Sequence, residues 1–377
     1  MAMRKPTIHA PASVRGRLAL LPAAAAFLAV LWAAQVAHAR SSNLEEQETR
    51  TVKVVSETKI YVKNARGKTI IVGRKDAAAV TIHASKIVRA GDANTAAQWM
   101  KELGFTTETD GEQISVILHH PKRAEEGTSL WTFVRRIGDR SHIDLTIEVP
   151  AAFDAKVSST SGEIQITSLE GSVKLFGSSG DVMLKGIGGT ALLELSSGNV
   201  DADEIGGDLH IRLSSGNAFL RGIGGMVALE GTSGDAEIHD VGGDVDVTLS
   251  SGDLVVEGCR GGVNARTYAG DVKIDDVTGS VVASTGSGDI DATLTPVGAK
   301  DNRFESASGI VTVAFHTPEG YGFMLEVHTG TGAIEGDLEI KLDEISRNDL
   351  KGLVGNGAGR VTVETASGDI RIREIGK

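Results

Sequence analysis

The stretch "LSSGNVDADEIGGDLHIRLSSGNAFLRGIGGMVALEGTSGDAEIHDVGG", residues Leu195–Gly243, states one short pattern three times. Each copy has Ser-Gly, an acid or amide, alternating aliphatics and a second glycine. Outward from it, the Ser-Gly glycine recurs from Gly162 through Gly180, Gly198, Gly216, Gly234 and Gly252 to Gly288, with Ala-Gly at Gly270, and every step is 18. The second glycine keeps the same step from Gly171 to Gly279. A fixed period of this length marks an architecture that grows by stacking.

Between the glycines the residues alternate as strands do. Counted from the Ser-Gly glycine, positions two and four are apolar (Val182 and Leu184, then Val200 and Ala202), as is position seven (Ile187, Ile205, Ile223). Two further inward positions follow the second glycine, such as Leu209 and Ile211. Positions between them are mostly polar, such as His210 and Arg212. One such strand pair cannot bury its apolar face alone, but stacked copies can.

The predicted fold is therefore all-β, a single-stranded β-solenoid (β-helix) of 18-residue coils. Right-handed coiling is expected, because the six-residue period of left-handed hexapeptide helices is missing. The turns should need positive φ, and the coils should stack too closely there for a side chain. Cys259 stands where Ile or Val stands in other coils, so it reads as a core residue.

After Gly288 the step lengthens to 21, giving Gly309 and Gly330, with loops near 295–304 and 316–322. Gly368 is the next match, after an insertion over about Lys341–Gly359. The chain then runs out in "RIREIGK", read as a charged final strand that blocks end-to-end association. Before Gly162 the strand pattern is irregular. One short helix is expected near residues 94–103, capped by Asp92 or Asn94 and stopped by Gly104. It should cover the N-terminal end of the stack or lie on its flank.

Residues 1–39 read as a signal peptide. Arg4, Lys5, Arg15 and Arg17 are basic, Leu18–Val36 is apolar, and Ala37-His38-Ala39 is a small-x-small cleavage pattern. An uncleaved anchor is the rival, disfavoured by Pro22. No later stretch is apolar enough to span a bilayer. The organisation expected is a signal peptide over 1–39, an irregular β region with the helix over 40–150, and a regular solenoid over 151–377. Cleavage after Ala39 would place the protein in the periplasm or at the cell surface. It removes four basic groups and leaves 34 Lys+Arg against 50 Asp+Glu, a net charge of −16. Such a surface disfavours nucleic acid as a partner. A single cysteine provides no disulfide.

The repeated "SSGDV" and "IGG" units, the run-in "IDLTIEVPAAFDAKVSSTSGEI" and the ending "GAGRVTVETASGDIRI" resemble the bacterial putative-adhesin domains, over roughly Thr51–Ile372. The resemblance implies an exported or cell-envelope β-solenoid and supplies no catalytic residues to carry over.

Two candidate sites stand out. After the Ser-Gly or Ala-Gly glycine come Asp235, Asp253, Asp271 and Asp289, a ladder of like charges that calcium would relieve. The competing reading is that each carboxylate accepts backbone N–H bonds within its own turn. The calcium-roll nonapeptide motif does not fit "GGDLHIRLS". The second candidate is Trp131, Phe133, Arg135 and Arg136, an aromatic and basic cluster in an acidic chain with 4% aromatic residues. Trp and Arg often anchor interfaces, although a hairpin folded back on the solenoid would explain them too. His119, His120 and His142 offer too few convergent ligands for a metal.

The expected function is a structural or binding module of the cell envelope, adhesin-like and monomeric, without catalysis or cofactor. Its partner would be an envelope protein or a glycan. The alternatives are a polysaccharide-acting β-helix enzyme and a calcium-stabilised surface protein. The enzyme reading wants a groove with stacked aromatics, whereas Phe176, Phe219 and Tyr268 do not recur at the same position.

Overall fold

The computed structural model describes residues 42–56, 58–121, 141–295, 300–316 and 322–375. Each coil gives one strand to a 15-stranded sheet and one to a 16-stranded sheet. In one coil these are Val182–Ile187 and Ala191–Ser197. Each pairs in parallel with the strand 18 residues on, so Ile187 lies beside Ile205, and Ile205 beside Ile223. All three isoleucines are buried in one core that runs the length of the stack. Cys259 continues their column between Val241 and Val277. It is buried, and that burial pushes its thiol above the usual cysteine value, as suits a core residue.

Inward positions two, four and seven break strict alternation, and the backbone shows why. Position six is left-handed in successive coils, with φ +63° at Gly186, +60° at Glu204, +67° at Gly222 and +58° at Asp240. That one residue turns the strand so that the next side chain points inward again. Glycine is therefore not required here, and Glu and Asp bear the strain.

The Ser-Gly glycines do need to be glycine. Along their column φ runs from +109° at Gly67, which opens it, to +158° at Gly332. A Cβ on Gly216 would collide with the carbonyl oxygen of Gly198. The second glycine meets the close-approach half of the expectation but not the positive φ. A Cβ on Gly207 would come within 2.9 Å of the Gly189 backbone.

The strands of the 16-stranded sheet have a third inward position that sequence periodicity missed. It reads Gly177, Leu195, Leu213, Gly231 and Leu249. Leu195 fills the space above Gly177, where a Cβ would stand 2.6 Å from its Cδ2. Leu249 does the same at Gly231, at 2.7 Å. Large and small residues interdigitate, so no single residue type marks the column.

The order of coils at the C-terminal end differs from the sequence reading. Gly359–Ser367 lies between Asp301–Ser308 and Gly322–Thr331. Ile370–Ile375 lies between Val311–His316 and Ile334–Gly336. The charged last strand is thus inside the stack rather than at its end. The insertion forms an antiparallel hairpin, Lys341–Ile345 with Asp349–Gly355, and that hairpin closes the 16-stranded sheet. The glycine column accordingly passes from Gly309 to Gly368 to Gly332, and Gly332 takes the place expected for Gly330.

At the N-terminal end, Lys59–Arg66 and Thr69–Arg74 are likewise inserted out of sequence, beside Asp154–Ser161 and Ile164–Leu169. The helix Ala93–Glu102 starts at Asp92, whose Oδ1 accepts the Thr95 N–H at 2.9 Å. It joins Ala79–Ala90 of one sheet to Gly104–Asp110 of the other and buries Ala96. Of the two placements open to it, it covers the end. The edge strand Ser42–Lys53 is held by Lys86, whose Nζ lies 2.7 Å from Glu48 and 3.3 Å from Glu46.

Candidate functional site: an axial groove on the 16-stranded sheet

The outward face of the 16-stranded sheet carries a shallow groove of about 770 Å³ parallel to the stack. One wall is Thr160, Ser178, Ser196, Ser214 and Thr232, one residue per coil. The other is Phe176, Glu194, Arg212, Glu230 and Thr248. Backbone over the third inward column forms the floor, and its Leu195 and Leu213 are 5% and 4% exposed, leaving little apolar surface. The groove follows from the coil repeat, since register pairing puts Glu194 beside Arg212 and Arg212 beside Glu230.

Of the serines one position further along, Ser179 and Ser197 are spent on the fold. Ser179 Oγ donates to the Thr160 carbonyl at 3.1 Å, and Ser197 Oγ to that of Ser178 at 3.2 Å. Among the described residues nothing bonds the hydroxyls of Ser178, Ser196 and Ser214, which are exposed. Ser159, 7% exposed at one end of the groove, has a buried hydroxyl without a hydrogen-bond partner. On the facing wall Arg212 Nε donates to Glu230 at 3.1 Å, and Arg212 Nη1 lies 4.0 Å from Glu194. Lys156 sits between the rings of Tyr61 and Phe176, 5.5 Å and 5.8 Å from their centroids.

The 15-stranded sheet presents a different outer face. There Asp203 bridges Lys185 and Arg221 at 2.6 Å and 3.1 Å. The Arg221 guanidinium, with Lys185, holds its carboxyl below the usual aspartate range. Phe219 belongs to this face, its ring 5.8 Å from that of His239.

The aspartate ladder is built, with bonds that run between coils rather than inside one turn. Asp235 Oδ1 accepts the Asp253 N–H at 3.0 Å, Asp271 Oδ1 the Asp289 N–H at 2.8 Å, and Asp289 Oδ1 the Ile310 N–H at 2.7 Å. Asn199 and Asn217 do the same, so a neutral amide serves as well as a carboxylate. Among the described residues, no group of three or more His, Cys, Asp or Glu is placed to hold a metal ion. His119 and His142 lie in different sheets. Trp131, Phe133, Arg135 and Arg136 lie outside the described residues; the strands before and after them, Gln113–His119 and His142–Pro150, belong to the N-terminal end.

Sequence reasoning missed the groove. Its signal was the run of Ser or Thr two places before each Ser-Gly glycine, which reads as turn composition until the fold shows those hydroxyls in one line.

Residues 208–373 match the family model Toastrack DUF4097. That match agrees with the resemblance carried by the repeated motifs, and the fold is the solenoid-like all-β one. Among solved structures it is similar to a putative cell adhesion protein from Clostridium sporogenes, at 12% identity and TM-score 0.22, covering 88% of this chain and 100% of that one. A putative adhesin from Bacteroides fragilis matches at 10% identity and TM-score 0.23, covering 88% and 97%. A putative lipid binding protein from Parabacteroides distasonis matches at 13% and TM-score 0.28, with the same coverage. No curated protein matches the chain.

Proposed function

We propose that this protein is an exported, non-catalytic binding module of the cell envelope that holds an extended polymer in the axial groove. One observation carries the reading: a Ser or Thr hydroxyl recurs at each coil along one wall of the groove, about 4.8 Å apart. A ligand with a matching repeat makes the same contact many times, which suits broad adhesion by individually weak contacts. The Toastrack match supports a binding module. The signal-like residues 1–39 support export, to the periplasm or cell surface. The protein acts as a monomer, and its partner is a glycan or another envelope component. Trp131, Phe133, Arg135 and Arg136 add a second contact.

Photoreactive residues at positions 196, 131 and 273 in the full chain, crosslinked in cells, test this reading. Capture of an envelope component at 196, and not at 273 on the other sheet, supports the groove. Capture confined to 273, or none at 196, rejects it. Arg135→Ala should weaken capture at 131 while leaving Tm unchanged. Sequencing the mature N-terminus tests export, with Arg40 expected as the first residue.

A further inference from the structure

Resting on that reading, we infer that the groove takes an extended, neutral, β-linked glycan lying parallel to the stack. Exposed hydroxyls on one wall and a Glu-Arg-Glu row on the other give donors and acceptors at every coil. That is the chemistry that recognises sugar hydroxyls, and the coil spacing is close to that of successive residues in an extended β-1,4 glycan.

Aromatic rings stand at both ends of this path. Phe176, beside Tyr61 across Lys156, marks one end. Tyr268, 71% exposed, stands two coils beyond Thr232 in line with the hydroxyl wall. From the strand of Phe176 to that of Tyr268 is five steps in the sheet order, roughly 24 Å. Rings at such positions offer apolar faces to sugar rings. Phe176 and Tyr268 share a sheet face, one on each wall line of the groove, and Phe219 does not.

The other polymers fit less well. An acyl chain needs apolar surface, and the floor leucines are covered. A peptide strand adds to a sheet edge, whereas the groove lies on a sheet face whose backbone bonds are already paired. A polyanion meets a chain of net charge −12. A polycation finds the wall carboxylates already answered by Arg212.

Calorimetric titration of the full chain with cello- and chito-oligosaccharides, dimer to hexamer, tests the inference. Affinity should rise with length up to the hexamer, and oligogalacturonates should not bind. Tyr268→Ala and Phe176→Ala should each weaken hexamer binding about fivefold, and Ser196→Ala with Ser214→Ala should weaken it further, all at unchanged Tm. Absence of binding by both neutral series, length-independent binding, or indifference to Tyr268→Ala would overturn it. If position 196 still captures an envelope protein in cells when both series fail, the groove reading survives and the glycan does not.

Discussion

Asp253 Oδ1 accepts the backbone N–H of Asp271 at 2.9 Å, so a side chain of one coil holds the turn of the next. Asp253→Ala should cost about 1 kcal/mol, the usual net worth of such a bond. Asp253→Asn keeps the acceptor and removes one of a row of like charges, so its Tm should equal or exceed that of the parent. Thermal unfolding in calcium and in chelator checks both. A Tm that falls on adding chelator would instead assign a cation to the outer carboxylate oxygens.

Two glycines of one coil should differ sharply when changed to alanine. Gly222 has φ +67°, and the nearest atom to an added Cβ is 3.6 Å away. Only left-handed strain opposes Gly222→Ala, at about 1–2 kcal/mol. A Cβ on Gly216 collides with the Gly198 carbonyl, and backbone cannot move aside as a flexible side chain can. Gly216→Ala should therefore unfold at markedly lower denaturant than Gly222→Ala, and equal midpoints would contradict the stacking of these turns.

Acid should release the N-terminal edge first. The Lys86 ammonium beside Glu48 holds its carboxyl below the usual glutamate range, against the opposing effect of burial. A carboxyl depressed in the folded state contributes stability above its unfolded value, and that stability is lost as pH falls through the folded value. Hydrogen exchange over Ser42–Lys53 should accelerate as pH drops below the usual glutamate range, after correction for intrinsic rates. Glu48→Gln should raise exchange at neutral pH and flatten that dependence.

Removing residues 356–377 should do more than fray an end. Those residues supply strands with neighbours on both sides, Asp301–Ser308 and Gly322–Thr331 among them. Their loss should expose 322–355 to fast hydrogen exchange while 182–269 stays protected. Retained protection at 322–355 would restore the simple sequential stack.

The sequence carried the period, the inward columns and the helix cap legibly because each repeats or follows a local rule: Ile187, Ile205 and Ile223 occupy one column eighteen residues apart, and Asp92 precedes its helix directly. What it hid depends on contacts between coils. Gly177 and Leu195 look unrelated until one fills the space the other leaves. The final strand reads as an end because chain order and stack order coincide through the regular coils and part, on the C-terminal side, where Gly359–Ser367 enters. The groove was hidden for the same reason, since Ser178, Ser196 and Ser214 become a wall only once coils are stacked.

Disulfide formation across the groove wall tests the stack most directly. In a Cys259→Val background, Arg212→Cys with Glu230→Cys joins register neighbours on adjacent strands. Their Cα atoms should stand about 4.8 Å apart, within disulfide reach. Glu194→Cys with Glu230→Cys lies two strands apart, about 10 Å, beyond that reach. Mild oxidation should close an intrachain disulfide in the first pair and leave the second reduced. Equal oxidation of both pairs, or of neither, would contradict in-register coils and with them the groove.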